Sequence, residues 1–285
     1  MADGIAIGLR ALAYAAALLA AGVPIFIWFF GGDLARSAHR IRAMPLPAAL
    51  TGLTLTIAHA IVEPARLTGE LGGILDGSLQ MMLIGSNFGT TIAVRTLGLL
   101  MIAGGWLKPS RPGEGAALIG TSLIVVSFAF MGHTAAAAQR WLLAPLLIAH
   151  LFTVAFWFGS LWPLATVTRC ENAVIAGAII ESFSKVAIWA VSVIFVAGVA
   201  MAGALLPGLA SLRSPYGISL MGKLAGFAIL MALASMNKWR LGPKIAQGNR
   251  SSLKSLQLSV LAEWVLILTV VTITAAMTAL FSPDH

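Results

Sequence analysis

Hydrophobic positions along this chain come in long blocks rather than in alternation with polar ones. Eight blocks can be bounded, at about 5–30, 46–63, 88–107, 116–132, 141–166, 184–207, 217–237 and 256–281. They are almost free of charge, and their length of about 17 to 26 residues is what a helix needs to cross a bilayer. No period-2 alternation of the barrel type occurs, and backbone facing lipid must satisfy its own hydrogen bonds, so the blocks predict α-helices. The second and fourth are short, and the stretch 64–86 is too polar to cross. The first block differs from a cleaved leader: its apolar stretch continues past Pro24 to Phe30, it lacks a basic leader, and basic residues follow it. It predicts a retained helix. The expected fold class is all-α, a polytopic bundle of about eight transmembrane helices forming a single integral membrane domain over 1–285.

Composition sharpens this expectation. Of the residues, 59% are hydrophobic and 10% charged, where a soluble domain carries about 25% charged. The mean hydropathy is +0.94. The net charge of +8 could suggest nucleic acid, but its placement points elsewhere. Connections after the odd-numbered spans hold Arg36, Arg40, Arg42, Lys108, Arg111, Arg169, Lys185, Lys238, Arg240, Lys244, Arg250 and Lys254. The opposite connections hold only Arg66, Arg140 and Arg213. This asymmetry predicts cytoplasmic basic loops and periplasmic termini, and it leaves no nucleic-acid partner to invoke. A lone cysteine, Cys170, rules out a disulfide framework and a multi-thiolate metal site.

The polar residues inside the spans need reasons, because an ionisable group in hydrocarbon is costly unless it is paired or faces a cavity. The segment "IAHLFTVAFWFGSLWPL" (148–164) places His150 about ten residues, roughly 15 Å, into span 5. Arg95 on span 3 and Glu263 on span 8 fall at comparable depth, with Lys223 on span 7 nearer the outside. His59 and Glu63 lie one turn apart on span 2, hence on one face. His133 closes span 4 in "FMGHTA", two residues after Met131. Met81, Met82, Met201 and Met221 also fall toward the outer side. Imidazole and thioether without thiolate suit copper, above all Cu(I), and imidazole with carboxylate tolerates Cu(II). Against this stand plainer roles. Methionine is a common core filler, a membrane histidine can hydrogen-bond a neighbouring helix, and Arg95, Lys223 and Glu263 can form a structural ion-pair network. His285 is a chain-end residue with no role assigned.

Small residues at helix-packing spacing, Gly222 with Gly226 and Gly198 with Ala202, predict close helix approach. No internal repeat is evident, and no HExxH or serine–histidine arrangement suggests a hydrolase, so no enzyme is expected.

The "GH" at 132–133, "H…FWFGSLWPL" at 150–164, and "SPYGISLMGKLAGFAILMALASMNKW" leading to "LAEWVLILTVVTITAAMTALFSP" resemble the copper resistance protein D (CopD) membrane family. The resemblance is strongest over 132–283 and rests in the tail on Gly217, Lys223, Asn237, Glu263 and Pro283 in the family's order. It covers the first three spans in hydropathy alone. It implies a bacterial inner-membrane protein of eight helices that passes copper inward and works with a separate periplasmic copper carrier of the CopC type. The family histidines would map onto His133 and His150.

The expected function is therefore a copper permease, with His133, His150, His59, Met131 and Glu63 as metal ligands and Arg95, Lys223, Glu263 and Asn237 as supporting polar groups. A b-type haem protein is the alternative, since His59 and His133 lie at similar outer depth on different helices and could form one bis-histidine site.

Overall fold

A computed structural model describes residues 2–107, 110–206 and 208–281. Lys108, Pro283 and His285 lie outside these. The described residues hold no strand, and eight helices among them are long and apolar enough to cross a membrane. We number these α1 (Ala2–Phe30), α2 (Pro45–Thr68), α3 (Asn87–Leu107), α4 (Arg111–Ser127), α5 (Arg140–Cys170), α6 (Ala173–Leu205), α7 (Pro215–Met236) and α8 (Arg250–Leu280).

The helices overrun the apolar blocks where polar caps lie outside the hydrocarbon. The Asn172 side chain accepts from the Ile175 amide at 2.9 Å and starts α6 well before residue 184. Asn249 accepts from the Ser251 and Ser252 amides and starts α8 before residue 256. Such caps satisfy amides that the first turn leaves without partners. The stretch 64–86 does not cross. There α2 ends at Gly69, whose φ of 76° is the left-handed conformation that favours glycine, and a 3₁₀ turn (Leu71–Leu75) and a short helix (Gly77–Ile84) follow. Asp76 caps that short helix, and hydrogen bonds from the Ser78 hydroxyl and the Leu79 amide hold its carboxyl below the usual carboxylate range.

Helix α1 is the axis of the bundle. It packs against α2, α3, α4, α5 and α8 and is the most deeply enclosed of the eight. Its crossing with α5 requires glycine on both sides. A Cβ on Gly22 would fall on the Ala155 carbonyl, and one on Gly159 would fall on the Gly22 backbone. Helices α3 and α4 approach in the same way through Gly98 with Gly120 and Gly105 with Gly113. In lipid such close packing replaces the hydrophobic drive that water supplies. Of the spacings noticed in the sequence, Gly222 and Gly226 do face α8, at Ile273 and Val270, while Gly198 faces the His150 ring.

The last three helices pack differently. Helix α6 rests on α5 and α7 rests on α8; the α6 and α7 backbones stand apart among the described residues, and Phe195 and Phe227 stack across them at 6.3 Å. Most of the surface of both faces outward. At the end of α7 the backbone widens into a π-helical turn (Asn237–Leu241) before a short helix, Gly242–Ala246.

Candidate functional site

Polar side chains within the bundle fall into three neighbourhoods. The first joins α1 and α2 at the end opposite the basic loops. Arg10, His59 and Glu63 are all buried there. Arg10 Nη2 meets Glu63 Oε1 at 2.7 Å, and Arg66 Nε meets the same oxygen at 2.8 Å. His59 Nε2 stands 3.3 Å from Arg10 Nε and 3.2 Å from Glu63 Oε2. That nitrogen either accepts from the guanidinium or donates to the carboxylate, and the tautomer decides which. The Phe88 ring closes one side edge-on. Two guanidiniums thus surround one carboxylate, and the imidazole nitrogen nearest them is already engaged.

Arg95 lies in the same half of the bundle. Its Nε donates to the Ser127 hydroxyl at 3.1 Å, and its guanidinium stands 4.1 Å above the Phe128 ring and 5.3 Å from that of Tyr14. Desolvated stacking of this kind is worth about 2 kcal/mol. Among the described residues no ion pair joins Arg95, Lys223 and Glu263, so the single network allowed for in the sequence reading does not form.

The second neighbourhood lies between α5 and α6. His150 Nδ1 is 3.1 Å from the Ile194 carbonyl oxygen. The carbonyl can only accept, so this contact fixes the proton on Nδ1 and leaves Nε2 with a free lone pair, the form in which neutral imidazole binds metals. Gly198 supplies room beside the ring, and the Lys223 ammonium is within electrostatic reach. Further toward the outer end, Gly132 (φ 84°) turns the chain so that His133 opens a short helix, His133–Ala136. Its ring meets Tyr216 of α7 edge-on at 5.3 Å. Met131, just before the turn, is half-buried, while Met81, Met82 and Met221 are exposed.

The third neighbourhood lies in the half nearer the basic loops. Glu263 of α8 is buried and accepts two hydrogen bonds, from Trp157 Nε1 at 3.1 Å and from Asn237 Nδ2 at 2.7 Å. Asn237 sits at the start of the π-helical turn, a feature that often marks a functional position. A cavity of about 240 Å³ adjoins this trio.

Of the residues expected as metal ligands, the structure brings His59 and Glu63 together and gives His133 and His150 other neighbours. No group of three or more His, Cys, Asp or Glu side chains able to hold a metal occurs among the described residues. The histidines paired in the haem alternative, His59 and His133, have different ring partners, Phe88 and Tyr216. Sequence reasoning passed over Arg10, although an arginine in the first apolar block was a visible signal. It also passed over Glu171 in the α5–α6 connection. There the Ser37 hydroxyl and amide and the Ala35 amide all donate to the carboxylate, at 2.5, 2.8 and 3.0 Å. Burial opposes its charge, yet these donors hold its carboxyl below the usual range.

The fold and its buried polar groups define a polytopic helical membrane protein with ionisable side chains inside the bundle. Residues 177–277 match the family described as Copper resistance protein D, and residues 1–141 match the Copper resistance protein D-like N-terminal domain. The chain belongs to the copper resistance protein D family. It is 25% identical to the Copper resistance protein D of Pseudomonas syringae pv. tomato, over 85% of this chain and 84% of that protein. No solved structure matches the chain. The likeness therefore reaches the first three spans, where the residues alone offered only hydropathy. His59, Glu63 and His133 lie in the first matched stretch and Lys223, Asn237 and Glu263 in the second, with His150 between them.

Proposed function

We propose that this copper resistance protein is a copper permease, one integral unit of a bacterial inner membrane that carries copper from the periplasm toward the basic, cytoplasmic loops. The observation that carries the reading is His150. A backbone carbonyl orients its ring so that Nε2 is free, deep in an apolar bundle, where an idle imidazole would be costly. His133 with Met131 forms the outer capture step, and the two positions offer nitrogen and sulfur ligands suited to Cu(I). Few ligands per step keep each hold weak enough for the ion to leave.

His59 and Glu63 take a different part. Arg10 and Arg66 already hold Glu63, and Arg10 and Glu63 engage His59 Nε2, so we assign the pair to fastening α1 against α2 rather than to binding copper. A periplasmic carrier of the CopC type would deliver the ion at His133, and copper is cargo rather than a resident cofactor. Charge placement supports this orientation, with both termini periplasmic.

The test is uptake of Cu(I) into proteoliposomes that hold a Cu(I) chelator. His150→Ala is expected to lower the initial rate by at least about tenfold, the loss of one ligand costing of that order. Uptake by His150→Ala at the parent rate, with correctly folded protein, would overturn the reading.

A further inference from the structure

The cavity beside Glu263 has features that copper transport does not account for. Side chains of α5, α6, α7 and α8 line it, among them Phe183, Val191, Met231 and Val260, and its surface is mostly apolar. At about 240 Å³ it exceeds the roughly 150 Å³ of an engineered apolar cavity that takes up benzene. It lies between α6 and α7, whose backbones stand apart although Phe195 and Phe227 stack across them at 6.3 Å. Its rim residues Ile188 and Trp239 are 48% and 70% exposed, so it opens sideways into the lipid phase rather than along the bundle axis.

The Trp157 indole and the Asn237 amide both spend hydrogens on Glu263. Ser184 and Ser192 donate back to the carbonyls of Ile180 and Ile188 on their own helix. At the Glu263 end the acceptors left over are the spare lone pairs of Glu263 and the Asn237 carbonyl oxygen, which is buried and has no hydrogen-bond partner among the described residues. With Glu263 ionised, flipping the amide would not help, since its oxygen would then face a carboxylate. A buried acceptor without a donor costs about 1–3 kcal/mol, so the site calls for a donor. Glu263 lies about seven residues, roughly 10 Å, inside the apolar stretch that begins at Leu256, beyond the reach of a phospholipid headgroup held at the interface. Lys238 and Trp239 of the π-helical turn and Ser235 of α7 also border the cavity.

We propose that the cavity binds a membrane-dissolved amphiphile of the phenol or hydroquinone class, which enters sideways between α6 and α7. Its ring occupies the apolar walls and its hydroxyl donates to the Asn237 carbonyl oxygen and to Glu263. The trio is thus a recognition site for a lipid-phase ligand, independent of whether copper passes.

The experiment compares 4-octylphenol with its methyl ether, 4-octylanisole, binding to the full-length protein in lipid nanodiscs, followed by tryptophan quenching. The phenol is expected to bind saturably and at least about tenfold more tightly than the ether, since only the phenol satisfies the orphan acceptor. Asn237→Leu should bring the two affinities together, and Ala187→Trp, which fills the cavity, should abolish both. Equal affinities for phenol and ether in the unaltered protein would overturn the assignment, leaving a cavity for any acyl chain. The absence of saturable phenol binding would overturn it too, leaving only water at the acceptors. The phenol–ether comparison uses the native chain and so stands even if a variant fails to fold.

Discussion

The bundle holds two regions built from the same apolar residues by different rules. Around α1, helices meet backbone to backbone at Gly22, Gly159, Gly98 and Gly120, and Arg10 and Glu63 form a buried ion pair. Around α6 and α7 the packing is looser, His150 and Glu263 are held by hydrogen bonds rather than ion pairs, and a cavity remains. The difference teaches how a membrane protein can separate holding together from handling a ligand. A salt-bridged, glycine-packed region has one arrangement available. A region joined by single hydrogen bonds across loosely packed helices can exchange partners at low cost.

The sharpest way to break the comparison is steric. Gly22→Leu should abolish folded protein, because its side chain would occupy the α5 backbone, whereas Gly203→Leu on α6, where a Cβ meets nothing within 4 Å, should leave the thermal midpoint in detergent unchanged. Comparable losses at both positions would erase the distinction. The next largest effect is electrostatic. Arg10→Ala leaves buried Glu63 short of a partner and should cost about 3 kcal/mol in unfolding measurements. Lys185→Ala, which removes the exposed ion pair with Glu181 on α6, should cost nothing measurable.

Glu171 is expected to show the smallest effect, and only in acid. A carboxyl held below its ordinary range stabilises the fold fully above that range and loses its contribution as pH falls through the lowered value. The native protein should therefore lose stability below about pH 4, and Glu171→Gln, already weaker at neutral pH, should lose less there. Parallel curves for the two proteins would remove Glu171 from the link between the α5–α6 connection and the α1–α2 connection.

The eight spans were legible because hydrocarbon selects composition directly: a block such as 5–30 cannot be anything but membrane or core. Their ends were less legible, since hydropathy reports bilayer thickness while caps such as Asn172 and Asn249 set where the helix starts. The one-turn spacing of His59 and Glu63 correctly placed them on one face. Their true partner, Arg10, lies 49 residues from His59 and on another helix, a relation no local spacing carries. The partner of His150 is a backbone carbonyl, which every residue has and no sequence marks. The π-helical turn that positions Asn237 is a backbone irregularity written in no residue type.

The most direct measurement of the central claim is Cu(I) affinity by chelator competition for purified His150→Ala and His59→Ala, each checked for folding. The account predicts that His150→Ala binds at least about tenfold more weakly than the parent, while His59→Ala keeps the parent affinity and loses thermal stability. Weakened binding in His59→Ala with parent-like binding in His150→Ala would contradict it.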